Sequence, residues 1–351
     1  MALKNVLGRF VGRVIEENTP SIDKKRCVNH LQRKVTCTAC QAACQAHALN
    51  PTSEPDFERC DGCGICAAHC PTGAITGAPL YVQRLMELAG LPGDTAVLGC
   101  SRSQKETDCP LRCLSAYPWE LLAALILQGK KLAFLPGDCE NCSFKQQMTL
   151  FEQSLDHLRS FLGEERTREF ITQDQTPLLQ SRREALFSIL KKGKRTAAAV
   201  LPEEYRQAAD GDLWRKILLH RLCHTNEAVS VSWTSPQFTE KCTACGICTK
   251  VCPAQALQVI AQQDGRFCIE HIGSKCRECG ICAAVCPWDG IDGYHSVPLS
   301  RPDGLQRTLT SAHPCEKCAA PCPADETLCM ACRLDEKKDQ LPFFAKQHER
   351  N

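Results

Sequence analysis

The chain has 351 residues, 42 Lys and Arg against 40 Asp and Glu, and a formal net charge of +2. That balance excludes the strongly basic surface of a nucleic-acid binder, and metal-bound thiolates would lower the charge further. Its 28 cysteines would suit a small disulfide-stapled secreted domain. The chain is too long for one, and its first residues show no secretory pattern, so metal sites in a cytoplasmic protein are expected instead.

In residues 1–26, Leu3, Val6, Leu7, Phe10, Val11, Val14 and Ile15 recur at helical steps, with Lys4, Arg9 and Arg13 elsewhere. This predicts an amphipathic helix that packs on the protein's own body or on a partner. The longest apolar run, Leu121–Leu127, is too short to span a bilayer, so any membrane contact is expected to be peripheral or through a partner.

Residues 27–80 and 238–297 each contain a pair of cysteine repeats. Three copies read C-x2-C-x2-C-x3-C-P: Cys60–Pro71, Cys242–Pro253 and Cys276–Pro287. A fourth, Cys37–Cys44, lacks its leading cysteine, because Lys34 stands there, and Gln45 replaces the proline. Cys27, ten residues before Cys37, is free to serve through a longer loop.

A 4Fe–4S cluster takes four thiolates, and in this spacing the fourth cysteine of one copy ligates the cluster of the other. The expected sets are Cys60, Cys63, Cys66 with Cys44, and Cys27, Cys37, Cys40 with Cys70. In the second pair they are Cys242, Cys245, Cys248 with Cys286, and Cys276, Cys279, Cys282 with Cys252. Zinc knuckles, by contrast, are paired C-x2-C units with longer spacers. With Gly64, Gly246 and Gly280 in their C-x2-C-G-x-C loops, the two pairs resemble the bacterial two-cluster ferredoxin family. Domains this small bury little apolar surface, so metal is expected to supply folding energy.

Between the pairs, Thr95–Cys100, Leu111–Leu114 and Lys131–Leu135 read as strands. Pro118–Gln128, stopped by Gly129, and Ser143–Leu162 read as helices. Together they predict a small α/β domain over 90–165. Strand ends converge at one edge of a parallel sheet, where Cys100, Cys113, Cys139 and Cys142 could meet. Leu111–Cys142, with its R-C, helix, apolar strand and closing G-D-C-x2-C, is similar to the hydrogenase-associated iron–sulfur delta-subunit family, which accompanies heterodisulfide reductases. The resemblance implies a fifth cluster on these four cysteines, with Cys109 as a substitute; structural thiols or zinc are the alternatives. Residues 166–237 read as helical, because 165–225 is charged with helical periodicity.

In the C-terminal segment 313–333, Cys315-x2-Cys318 and Cys329-x2-Cys332 form two knuckles ten residues apart. This spacing suits a structural zinc ribbon first and a rubredoxin-like single iron second. Residues 334–351 form a charged tail. Cys223 and Cys268 belong to no motif and are expected to be buried thiols. His30, His47, His69 and His271 are expected to be solvated or supporting groups, not ligands.

No phosphate loop, dinucleotide fingerprint or catalytic constellation appears. The expected fold is therefore multi-domain α+β: two ferredoxin-like dicluster modules, a small central α/β domain with helices, and a C-terminal metal ribbon. The expected role is a non-catalytic iron–sulfur electron-transfer subunit within an anaerobic oxidoreductase complex, partnered by redox proteins including a catalytic subunit. A stand-alone polyferredoxin carrier and a redox-sensing or assembly protein are the alternatives.

Overall fold

The computed structural model describes residues 19–31, 37–50, 55–56, 58–172, 211–225, 229–299 and 304–339. The N-terminal helix expected within 1–26, Lys34 and the end of the charged tail lie outside them. Two compact units result: Met1–Ser232 with Pro298–Pro302, and Trp233–Val297 with Asp303–Asn351.

In the first unit, β1 (Ser21–Ile22) pairs antiparallel with β2 (Ile75–Thr76), setting Ser21 opposite Thr76. The chain between them carries three short helices, Val28–Leu31, Ala39–Ala43 and Ile65–Ala68. After the helix Pro79–Ala89 comes a parallel sheet of β3 (Thr95–Cys100), β4 (Cys109–Leu111), β5 (Lys131–Leu135) and β6 (Ile171–Thr172), in the order β4-β3-β5-β6.

The helix Trp119–Leu127 is buried from Glu120 through Leu127, as an apolar run without a polar face must be. It packs against the helices Met148–Leu162 and Leu213–His224. Its one buried acid, Glu120, pairs with Arg215 at 3.4 Å, and the Arg215 guanidinium lies 5.1 Å from the centre of the Trp119 ring.

The strand expected at Leu111–Leu114 instead spans Cys109–Leu111, and Leu114–Ala116 turns into a 3-10 helix. Two contacts explain the shift. Asp108 takes the Val97 N–H on its side chain at 2.7 Å, and Leu98 pairs with Cys109. Pro110 cannot donate to a ladder, and β4 is an edge strand, where that lack is tolerated. The helix expected from Ser143 begins at Met148, after a 3-10 turn at Lys145–Gln147. Of the region 166–237, the described residues include the end of the helix Glu164–Phe170 and the helix Leu213–His224, and Ile171–Thr172 joins the sheet as β6.

β7 (Val231–Phe238), the other strand that the helical reading missed, leads into the second unit at Trp233. Its alternating burial, with Val231, Trp233 and Ser235 buried, is the period-two pattern of a half-buried strand. β8 (Leu257–Ala261) and β9 (Phe267–Ile272) form a hairpin turned at Asp264-Gly265, where Gly265 adopts φ 83°. β10 (Ile291–Leu299) pairs with β7, and β11 (Leu305–Leu309) adds to β9, giving the sheet order β11-β9-β8. Ala244, Leu257, Phe267, Ile269, Cys282 and Ala312 form the core. Beyond it, β12 (His313–Pro314) pairs with β13 (Pro321–Cys322). The helix Met330–Asp339 then carries the ribbon into the segment expected as tail.

Candidate metal centres

Each cysteine repeat folds as a loop followed by a helix of one turn or a little more. In the three full copies the residue before that helix is glycine in the left-handed region: Gly64 at φ 80°, Gly246 at φ 74° and Gly280 at φ 73°. At Gly64 a second constraint applies, because a Cβ would lie 2.2 Å from the Tyr81 ring. Tyr81 is buried, and its hydroxyl donates to the Ala116 carbonyl at 2.8 Å. In the degenerate copy Thr38 takes that place at φ −112°, and the helix Ala39–Ala43 still follows.

The first unit brings thiols of its two repeats near one another. Burial pushes the Cys40 thiol up to about 11, and the neighbouring Cys70, Cys37 and Cys27 raise it further. Burial likewise takes Cys63 to about 12 and Cys66 well above its ordinary value, with Cys60, Cys63 and Cys44 around Cys66. Cys40 also neighbours Cys66, and Cys27 neighbours Cys40. Cys44, Cys60, Cys63 and Cys66 line an open cavity of about 430 Å³.

The second unit repeats the pattern. Cys242, Cys245, Cys248 and Cys286 line a cavity of about 340 Å³. Burial, then Cys242 and other thiols, pushes Cys248 up to about 12. Cys276 is pushed to about 12 and Cys279 to about 11, burial leading in both and Cys252 and Cys282 being neighbours of each. In all these sets the buried thiols resist ionising together unless a cation joins them.

One turn recurs in all four copies. The residue three after the last cysteine has positive φ: His47 at 50°, Gly73 at 60°, Gln255 at 51° and Asp289 at 50°. The next N–H then points at the sulfur. Ala48 donates to Cys44 at 3.2 Å, Ala74 to Cys70 at 3.2 Å, Ala256 to Cys252 at 3.3 Å and Gly290 to Cys286 at 3.2 Å. Three of the four turn residues carry a Cβ, so the conformation is held against a steric cost. Its product is an N–H directed at the cysteine sulfur, a contact that would stabilise negative charge on a sulfur holding a cluster. The degenerate copy keeps this turn although it lacks the proline.

In the central region Cys100 ends β3, Cys113 follows β4, and Cys139 and Cys142 follow β5, all at the carboxyl edge of the parallel sheet. They line one cavity of about 320 Å³ with Arg102, Arg112 and Met148. Burial raises the Cys139 thiol, with Cys100, Cys113 and Cys142 as neighbours. Gly137 donates its N–H to Cys100 Sγ at 3.1 Å, and a Cβ on Gly137 would lie 2.8 Å from the Arg102 carbonyl oxygen. Cys109, the possible substitute, is elsewhere: it is buried, 3.6 Å from the Arg84 carbonyl. Phe144 lines both this cavity and that of Cys44, Cys60, Cys63 and Cys66, and Arg112 pairs with Asp61 of the latter loop at 3.2 Å.

The C-terminal set is tighter. The sulfurs of Cys315, Cys318, Cys329 and Cys332 all lie within 4.8 Å of one another. A single tetrahedral ion with metal–sulfur bonds of about 2.3 Å spaces its sulfurs by about 3.8 Å, so this set suits one ion. The Cys329 N–H donates to Cys315 Sγ at 3.2 Å and, with further backbone bonds, brings the Cys315 thiol down to about 6. Cys322 is buried beside them, but its thiol donates to the Glu326 carbonyl at 3.0 Å.

His30 and His47 are exposed. His69 Nε2 meets the Ser115 carbonyl at 2.8 Å, and His271 Nδ1 meets Ser235 Oγ at 3.0 Å. Burial lowers the pKa of both, His271 to about 4, so both are neutral at pH 7. Cys268 is buried as expected, whereas Cys223 is exposed, because it falls on the solvent side of the last turn of Leu213–His224. Sequence reasoning missed Tyr294, whose hydroxyl lies 3.2 Å from Cys282 Sγ. It also missed Asn29, which bonds twice to Cys37. Neither carries a motif signal.

Residues 54–76 match the family model of a 4Fe-4S binding domain, and residues 241–291 match that of a 4Fe-4S dicluster domain. Matched in this way, and built of clustered thiols, the molecule is an iron–sulfur protein whose matched domains are of the 4Fe–4S-binding type. It is similar, at 36% identity over 56 residues, to the pyruvate synthase subunit PorD of Methanothermobacter marburgensis, covering 16% of this chain and 60% of that one. It is also similar, at 34% identity over 71 residues, to a dihydromethanopterin reductase (acceptor) of Methanosarcina mazei, covering 20% and 29%. A protein of Haemophilus influenzae is 51% identical over 41 residues, covering 12% and 25%. The chain thus spans between a quarter and three-fifths of these relatives' lengths. Among the described residues, no helix is long and apolar enough to cross a membrane.

Proposed function

We propose that the chain is the iron–sulfur electron-relay subunit of a larger oxidoreductase. Four clusters are held by the interlaced cysteine sets of the two modules, a fifth by Cys100, Cys113, Cys139 and Cys142, and zinc by Cys315, Cys318, Cys329 and Cys332. The observation that carries this reading is the recurrence, in all four repeat copies, of the same left-handed turn and N–H-to-sulfur bond at the last cysteine. Bound clusters supply one-electron redox chemistry. The protein's own part is to exclude water, to set the potentials through N–H and O–H donors to sulfur, and to hold the thiols close enough to share a metal.

The subunit role is supported by PorD, which is named as a subunit of pyruvate synthase. The partner is then a catalytic oxidoreductase subunit. Anaerobic purification with iron, sulfide and zinc analysis tests the reading. About twenty iron and about one zinc per chain are expected, with a catalytic protein co-purifying in stoichiometric amount. A chain that holds mainly zinc and shows no reducible cluster signal would end it.

A further inference from the structure

The degenerate repeat raises a structural problem. Its complete counterpart places Cys60 three residues before Cys63, whereas Cys27 precedes Cys37 by ten. The probability of closing a loop falls as about the three-halves power of its length, so bringing the latter pair together is about six-fold less favourable. A short covalent spacer must be replaced by something else that fixes Cys37 relative to Cys27.

The structure assigns that task to Asn29. We propose that Asn29 is a positioning residue for the site of Cys27, Cys37, Cys40 and Cys70, holding Cys37 in place so that Cys27 can supply the fourth thiolate. The inference rests on reading that set as a cluster site.

Asn29 Nδ2 donates to the Cys37 carbonyl at 2.7 Å, and the Cys37 N–H donates to Asn29 Oδ1 at 2.7 Å. The carboxamide thus pairs with both polar groups of one residue, as a neighbouring strand would. Rotating the amide by half a turn would lose both bonds, so its orientation is set by Cys37.

The other end of the clamp is equally fixed. Asn29 lies on the helix Val28–Leu31, which Cys27 starts by accepting the His30 and Leu31 N–H groups at 3.0 Å each. The Cys27 N–H donates to the Asp23 carbonyl at 3.1 Å, and the Asp23 N–H donates to the Ala74 carbonyl at 2.7 Å, beside β2. Cys27 is therefore tied to the framework of the module, and Asn29, two residues further on, ties Cys37 to Cys27.

The complete copy supports the same logic. There the Cys63 N–H donates to Asp61 Oδ1 at 3.2 Å, an acceptor inside the C-x2-C loop itself. Asn29 provides the equivalent acceptor from outside the degenerate loop and adds a donor that Asp61 cannot offer. The leading cysteine and the side-chain acceptor have moved together onto one short helix.

The test compares full-length wild type with N29A and N29D, purified without oxygen, by iron and sulfide content, by EPR for a three-iron cluster, and by thermal unfolding. N29A is expected to lose about one iron per chain and to show a three-iron signal, as one corner of the site opens. N29D keeps the acceptor for the Cys37 N–H and loses the donor, so it is expected to lie between the two. Wild-type iron content without a three-iron signal in N29A, or a lowered unfolding temperature alone, would overturn the proposal. If N29A does not accumulate, N29D decides, and equality with wild type overturns it. Cys37→Ala separates the two levels: wild-type iron content in that variant would mean that the set holds no cluster, and the reading beneath the proposal would fall with it.

Discussion

Tyr294 offers a quantitative test of the proposed cluster at Cys252, Cys276, Cys279 and Cys282. Its hydroxyl, on β10, lies 3.2 Å from Cys282 Sγ, and Cys282 is only 8% exposed. Burial raises the Tyr294 pKa, and the nearby cysteines raise it further, so the phenol stays protonated and can donate at any working pH. Reduction adds negative charge to a cluster, so a donor to a ligand sulfur favours the reduced state and raises the potential. A hydrogen bond to a charged group contributes about 1.5–3 kcal/mol in total. If about 1 kcal/mol of this differs between oxidation states, Tyr294→Phe lowers one potential by about 40 mV, from the one-electron relation of about 59 mV per tenfold. An EPR-monitored redox titration of the full chain measures it. One cluster should shift down by that amount, equally at pH 6 and pH 9, while the others stay put. No shift, an upward shift, or a shift shared by all clusters would refute the reasoning.

The central set is tested by Cys139→Ser in the full chain, which should remove about four iron per chain and leave the ferredoxin-type signals unchanged. Unchanged iron content would return Cys100, Cys113, Cys139 and Cys142 to structural thiols. Cys329→Ser should lose about one zinc per chain with no loss of iron, measured by metal analysis; a lost 4Fe–4S signal would mean that the ribbon cysteines ligate a cluster. The two glycines Gly64 and Gly280 share a left-handed φ, but only at Gly64 does a Cβ meet a ring, with nothing within 4 Å at Gly280. Gly280→Ala should therefore cost about 1–2 kcal/mol from backbone strain alone. Gly64→Ala should cost clearly more in thermal unfolding, and equal losses would show that Tyr81 moves aside freely.

Ligand topology is legible in sequence because it is local. Four cysteines within eleven residues can only curl around something small, and the last cysteine of each copy is carried past its neighbours by the turn that follows. The same reasoning pointed to Cys27, which is an electrostatic neighbour of Cys40, as Cys37 and Cys70 are. The α/β centre was legible in outline because β3 and β5 are short apolar runs with their ends marked by turn residues. β4 was misplaced by two residues because its position depends on Asp108 meeting Val97, a contact between strands. β6 and β7 were missed where charged or mixed sequence resembles a helix until a neighbouring strand is present.

By itself, then, the sequence showed where the cysteines cluster and that the clusters recur as 4Fe–4S-type repeats. Those properties follow from spacing along a chain whose local geometry has few choices. Only the tertiary structure decided what surrounds each set: the Asn29 clamp on Cys37, the Tyr294 hydroxyl at Cys282, the Tyr81 ring against Gly64, and Phe144 between two cysteine cavities. Each joins residues that are distant in sequence or set in different elements. Such contacts exist only once burial has brought the elements together, and no periodicity or motif records them in advance.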